Sequence, residues 1–268
     1  MGKLAINRPR PGSASHVGHV GHGNHHAHAR VVPRALGVSG APVGRAFHPA
    51  FGEDLNYRMD VLPDDPDSQV EATVTMMGRY ALEDASSPGV GAAVRECLIG
   101  VDDSDPWTPI ERLFWFVKGR VQFVHDEATA SAFNPAARAT AGGNEVVEVL
   151  VRPVDMLRLG TRAQGDCDDF SMLTASMLTA LGYSNVSFVT VAADSQYPDQ
   201  YSHVYTVFEP EPGIRVGMDT SHGPAPGWEC PNQYGKRRDW PVAGSSYGRG
   251  LEGCLLLAAG VAGLMLAK

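Results

Sequence analysis

Residues 165–183 read GDCDDFSMLTASMLTALGY, and the chain on either side is best understood outward from this run. Asp166 carries an N-cap side chain, Phe170, Leu173, Met177, Leu178 and Leu181 follow at helical spacing, and Gly182 stands where a helix stops. The pattern predicts a helix over 166–181 with Cys167 in its first turn. Backbone N–H groups and the positive end of the dipole favour a thiolate there, and they also suit a developing oxyanion. Asp166, Asp168 and Asp169 surround the sulfur with negative charge and act in the opposite sense, so an imidazolium is needed nearby. A free cysteine is usually a small buried hydrophobe. Cys167 instead lies among carboxylates at the edge of the apolar stripe.

Three strand-like runs follow, at 186–192, 203–208 and 214–219. Upstream, Ser87-Pro88 opens a helix over 87–99. Thr108-Pro109-Ile110-Glu111 reads as an N-cap, a first-position proline and a capping-box glutamate, leading a helix that carries Ile110, Leu113, Phe114, Val117 and Val121 on one face. A short helix runs over 153–160. Residues 69–84 mix strand-like alternation with helix formers and fit neither period alone. Helices first and antiparallel strands afterwards predict an α+β fold, a helix-start cysteine packed on an antiparallel sheet.

Parity places a histidine against an aspartate. Val204, Thr206 and Phe208 alternate on one strand and Ile214, Val216 and Met218 on the next, so burying both apolar sets together fixes which side chains share a face. Pairing Phe208 with Ile214 puts His203 directly across from Asp219, with Cβ atoms about 4.5–5.5 Å apart. A carboxylate so placed fixes the imidazole tautomer and stabilises the imidazolium. His222, in the turn-rich stretch SHGPAPG, is the rival partner for the cysteine.

At 268 residues with 43% apolar content the chain can bury a substantial core, which excludes wholesale disorder. Four scattered cysteines without a Cys-x-x-Cys pair exclude a disulfide-stapled miniature and a zinc ribbon, and no secretory leader is evident, so a reducing, cytoplasmic compartment is expected. The net charge of −8 is uneven: the first 52 residues hold six basic and no acidic side chains, leaving −14 for the rest. Residues 1–50 form a basic arm rich in His, Gly and Pro, with six of the ten histidines between Ser15 and Arg30. Its composition suits an assembly arm that orders against a protein partner. Clustered imidazoles also bind divalent transition metals adventitiously, and a basic, acid-poor leader is compatible with a transit peptide, although serine is sparse. Support for nucleic-acid binding is weak without interleaved aromatics. Residues 51–104 make a mixed, largely helical segment, 105–228 the core, and 229–268 a tail containing GCLLLAAGVAGLMLA (253–267). That apolar run is short for a bilayer, which takes about 20 residues, and packing against protein is expected in preference to membrane insertion.

The blocks GDCDDFSMLTASMLTALGY, SHVYTVFE and VGMDTS resemble the transglutaminase-like superfamily of papain-fold proteins, and WFVKGRVQFVHDE is similar to the helix and strand before the family's cysteine. The resemblance spans residues 105–222. It implies a Cys167–His203–Asp219 triad in that chain order, acting on a protein or peptide substrate without metal or organic cofactor, as an amide hydrolase or a protein cross-linking transglutaminase. Many members take an oxyanion donor from a tryptophan upstream of the cysteine. Here none lies between Trp115 and Trp228, and Gln164 is the substitute donor. Bacteriophage and prophage versions are similar in size, which implies a virion protein with little or no activity as the alternative.

Overall fold

The computed structural model describes residues 65–102, 105–126 and 149–242 in full, and the backbone of 44–48 and 53–57. The basic arm before residue 44 and the apolar run at 253–267 lie outside the described residues. The elements in chain order are β1 (Gly44–His48), β2 (Glu53–Tyr57), α1 (Pro66–Ala85), α2 (Pro88–Cys97), α3 (Thr108–Arg120), β3 (Val121–Phe123), α4 (Pro153–Leu159), a 3-10 turn (Gly160–Arg162), β4 (Ala163–Gly165), α5 (Cys167–Ala180), β5 (Val186–Val191), β6 (His203–Glu211), β7 (Ile214–Met218) and β8 (Arg237–Pro241). The fold is α+β, with an antiparallel four-stranded sheet in the order β7-β6-β5-β8. β1 and β2 pair as an antiparallel hairpin, and β3 pairs in parallel with β4 immediately before the cysteine.

α5 is the axis of the core. Every residue from Asp168 to Leu178 is buried, because the helix packs against the sheet on one side and against α1, α2, α3 and α4 around the rest. The sequence shows a stripe, whereas the structure buries the whole cylinder. Small residues at Ser171, Thr174, Ala175 and Ser176 make that possible, and the hydroxyls of Ser171 and Thr174 turn back onto the helix. Ser171 donates to the carbonyl of Cys167 and Thr174 to that of Phe170.

The segment at 69–84, unresolved by periodicity, is helical, with Asp65 as N-cap and Pro66 in the first turn. Its alternating residues do not mark a strand, because Val74, Met77 and Ala81 face the helical layer at spacings of three and four. α3 corrects a cap. Its start is held by Asp105, whose carboxylate accepts from the Trp107 N–H (2.9 Å) and the Thr108 hydroxyl (2.6 Å). Thr108 is therefore the first helical residue, and its hydroxyl is spent on Asp105 in place of the helix end.

β8 carries no apolar alternation (RRDWP), yet it pairs with β5 at the sheet edge, so the sheet draws on residues beyond 228. Charge holds that edge. Glu229 accepts from Arg215 and Arg237, both of which also bond Asp239, and from the Tyr205 hydroxyl at 3.0 Å. Among the described residues no helix is long and apolar enough to cross a membrane.

The turn into α5 is tightly packed. A Cβ on Gly165 would lie 2.6 Å from the Cβ of Asp169 and 2.8 Å from its carboxyl carbon, so glycine is required there. Asp169 is 1% exposed and accepts from the Val151 N–H at 2.6 Å and the Asp166 N–H at 3.3 Å. Gly165→Ala is expected to displace this carboxylate and lower stability by about 2–4 kcal/mol, measured by urea unfolding. A loss below about 0.5 kcal/mol would show that the turn adjusts freely.

Candidate active site

Cys167 is the first residue of α5 and is half-buried. Asp166 caps the helix, accepting from the Asp168 N–H at 3.2 Å, and forms a capping box with Asp169. The three carboxylates expected around the sulfur therefore divide. Asp169 points at backbone N–H groups, while Asp168 gathers with Asp166 and the buried Asp126, one oxygen of each lying within 4.8 Å of the others. Ser171, one turn on, ties the helix tip to the sheet, since its hydroxyl is 2.6 Å from the Cys167 carbonyl and 3.2 Å from that of Val204. The Thr206 hydroxyl returns the link by donating to the Ser171 carbonyl at 2.8 Å. The backbone of Cys167 is thus fastened beside the neighbour of His203.

His203 and Asp219 meet. His203 Nε2 lies 2.7 Å from Asp219 Oδ2, with the imidazole 9% and the aspartate 0% exposed. The route differs from the expected register. β6 and β7 pair Thr206 with Met218 and Phe208 with Val216, two residues out of the simple hairpin, because a bulge between Phe208 and Glu211 absorbs the offset. Extending that pairing sets Asp219 across from Tyr205, so His203 and Asp219 are diagonal neighbours on one face. A two-residue slip keeps parity, and the side chains bridge the diagonal. β7 also ends at Met218, and Asp219 turns the chain through a Gly223 N–H to Asp219 carbonyl bond of 2.7 Å.

The turn is anchored from two helices. Lys118 of α3 donates to the carbonyls of Thr220 and Ser221 at 3.4 and 3.3 Å, and the Thr174 and Thr220 hydroxyls share a bond of 2.9 Å. Asp219 Oδ1 accepts from the Ser221 hydroxyl and the His222 N–H, each at 2.9 Å. Burial pushes the Asp219 carboxyl up, but the His203 hydrogen bond and charge, with the donors of His222 and Ser221, outweigh it and hold the group below the usual carboxylate range.

His222, the rival partner, stands edge-on to His203 with ring centroids 4.9 Å apart, and edge-on to Phe123 at 5.0 Å. Phe123 in turn lies 6.2 Å from Phe170 of α5, so a chain of rings connects the helix tip to the histidine. Sequence reasoning missed Ser171, Phe123 and Lys118. Only Ser171 had a sequence signal, a small hydroxyl residue one turn after the cysteine. Gln164 sits on β4, half-buried and paired in register with Gln122, and its amide donates weakly to the Gln122 side chain at 3.5 Å. The other described cysteines are poor nucleophiles. Burial pushes the Cys97 thiol up to about 11, and burial together with the charge of Asp219 pushes Cys230 up to about 11.

A scan against protein-family models returns no match for this chain, and a search of curated proteins returns none either.

Because the Asp219 carboxyl titrates below its unfolded value near 3.8, it stabilises the fold above that pH, and the contribution disappears as pH falls through the lower folded value. Asp219→Asn is expected to cost about 1–3 kcal/mol at pH 7, with the gap to wild type closing below about pH 3.5. Urea unfolding across pH 2–7 checks this, and a gap independent of pH would contradict it.

Proposed function

We propose that this protein is a cysteine-dependent acyl-transfer enzyme with a papain-like, transglutaminase-like core, in which Cys167 is the nucleophile, His203 the base and Asp219 the orienting carboxylate. The observation that carries the reading is the buried 2.7 Å hydrogen bond between His203 and Asp219, fastened through Val204 and Ser171 to the helix that begins with Cys167. With Nε2 held by Asp219, Nδ1 is the nitrogen assigned to the thiol.

The thiol proton passes to Nδ1 as sulfur attacks an amide or ester carbonyl of a protein or peptide substrate. The oxyanion is received by the Cys167 backbone N–H and the Gln164 amide. The carbon–nitrogen bond then breaks as the imidazolium returns its proton to the leaving amine, which leaves a thioester on Cys167. Water completes hydrolysis, or a lysine amine completes cross-linking, with His203 as the base in either case. Neither metal nor organic cofactor enters this cycle. Partners of the basic arm and the apolar C-terminal run are proposed to be proteins of an assembly, which allows a phage particle as the setting.

The test is reaction with iodoacetamide and with a nitrophenyl ester, read peptide by peptide by mass spectrometry. Cys167 is expected to alkylate at least ~10-fold faster at pH 7 than Cys97 or Cys230, and to carry the acyl group. His203→Ala is expected to reduce acylation by ~100-fold or more. Equal labelling of the three thiols, with no acyl group on Cys167, would leave a scaffold protein and remove the enzyme.

A further inference from the structure

His222 has no part in the acyl-transfer cycle, yet it stands against the base. A nitrogen of His203, a nitrogen of His222 and a carboxylate oxygen of Asp219 lie within 4.8 Å of one another. From this juxtaposition we infer that His203, His222 and Asp219 form a binding site for a divalent transition metal of the zinc type, and that the metal switches the site off. The binding stands on geometry alone; the inhibition rests on the proposed role of His203 as base.

The donor set selects the ion. Two imidazoles and one carboxylate suit zinc, copper or nickel, whereas calcium and magnesium want oxygen ligands. Bonds of about 2.0–2.2 Å in a tetrahedral site place ligand atoms about 3.3 Å apart, so the 2.7 Å pair of His203 Nε2 and Asp219 Oδ2 opens by roughly 0.6 Å as His222, within 4.8 Å of both, is drawn in. His222 supplies the freedom, because it is exposed and rides on the turn before Gly223, whereas the buried His203 and Asp219 need only part far enough to admit the ion. The carboxylate is already disposed toward its anion by the donors of Ser221 and the His222 backbone. Open coordination positions remain for water.

Proton accounting gives the consequence. The metal takes the place of the hydrogen between His203 Nε2 and Asp219 Oδ2, and an imidazolium releases that proton to solvent. The ring keeps its other proton on Nδ1, the nitrogen that would accept from the thiol. A metal-loaded His203 is therefore no base for Cys167, and metal and acylation exclude one another by linkage.

The six histidines between Ser15 and Arg30 complicate a simple count of bound ions. Thermal unfolding separates the two locations. Imidazoles adjacent in sequence bind metal whether the chain is folded or not, whereas His203 and Asp219 belong to different strands' ends and converge only in the fold, so only the latter site raises the melting temperature. Zinc chloride at about 100 μM added to the full chain is expected to raise Tm by ~3–5 °C, with no rise from magnesium chloride. His222→Asn and His222→Phe are each expected to abolish the rise while leaving the metal-free Tm within about 1 °C of wild type. No rise with zinc, or an equal rise in both variants, would overturn the site. A rise that depends on His222 without any zinc effect on ester acylation of Cys167 would keep the metal site and remove His203 as the base.

Discussion

A carboxylate with no exposure to water, Asp219, sets the geometry of the candidate site. An unpaired charge in that position would be costly, and the fold avoids the cost by directing an imidazole, a serine hydroxyl and a backbone N–H at its two oxygens. Those three donors define where the chain leaves β7, how the turn from Asp219 to Gly223 closes, and which way the His203 ring faces. Lys118 and Thr174 then fasten the turn to α3 and α5, so the carboxylate's surroundings are secured by the helical layer as well as the sheet.

A second buried carboxylate does the corresponding work at the helix tip. Asp169 closes the capping box of α5 and reaches across to the Val151 backbone, and Gly165 is glycine because the aspartate fills the space of its side chain. In the Gly-Asp-Cys-Asp-Asp run, Gly165, Asp166 and Asp169 thus each help to shape the helix start that carries residue 167. Ser171 joins the two halves by placing one hydroxyl between a helix carbonyl and a strand carbonyl.

Much of this is legible in the sequence alone. The bounds of α5, its Asp166 cap and its Gly182 stop follow from residue chemistry, and the parity rule put His203 and Asp219 on one face even though the register is shifted by two. The bulge between Phe208 and Glu211 was invisible because a five-residue connection does not dictate whether the ladder slips by an even step. Burial around all of α5 was hidden because Ser171 and Thr174 read as polar until their hydroxyls are seen bonded to the helix itself or to adjacent backbone. β8 escaped for a related reason: its Arg237 and Asp239 are paired with Glu229 and Arg215, a long-range arrangement that leaves no local period. α1 was ambiguous because Val70, Ala72, Val74 and Met76 alternate as well, and the burial of Val74, Met77 and Ala81 decides for the helix.

The proposed acyl-transfer chemistry requires electrostatic support of a thiolate at residue 167 by the imidazole that Asp219 holds. The most direct measurement is the pH dependence of Cys167 alkylation in wild type and in His203→Asn. A wild-type midpoint at least about 1 pH unit below that of a free thiol near 8.5, moving up toward or beyond that value in the variant, is the predicted result. Superimposable profiles for the two proteins would contradict it.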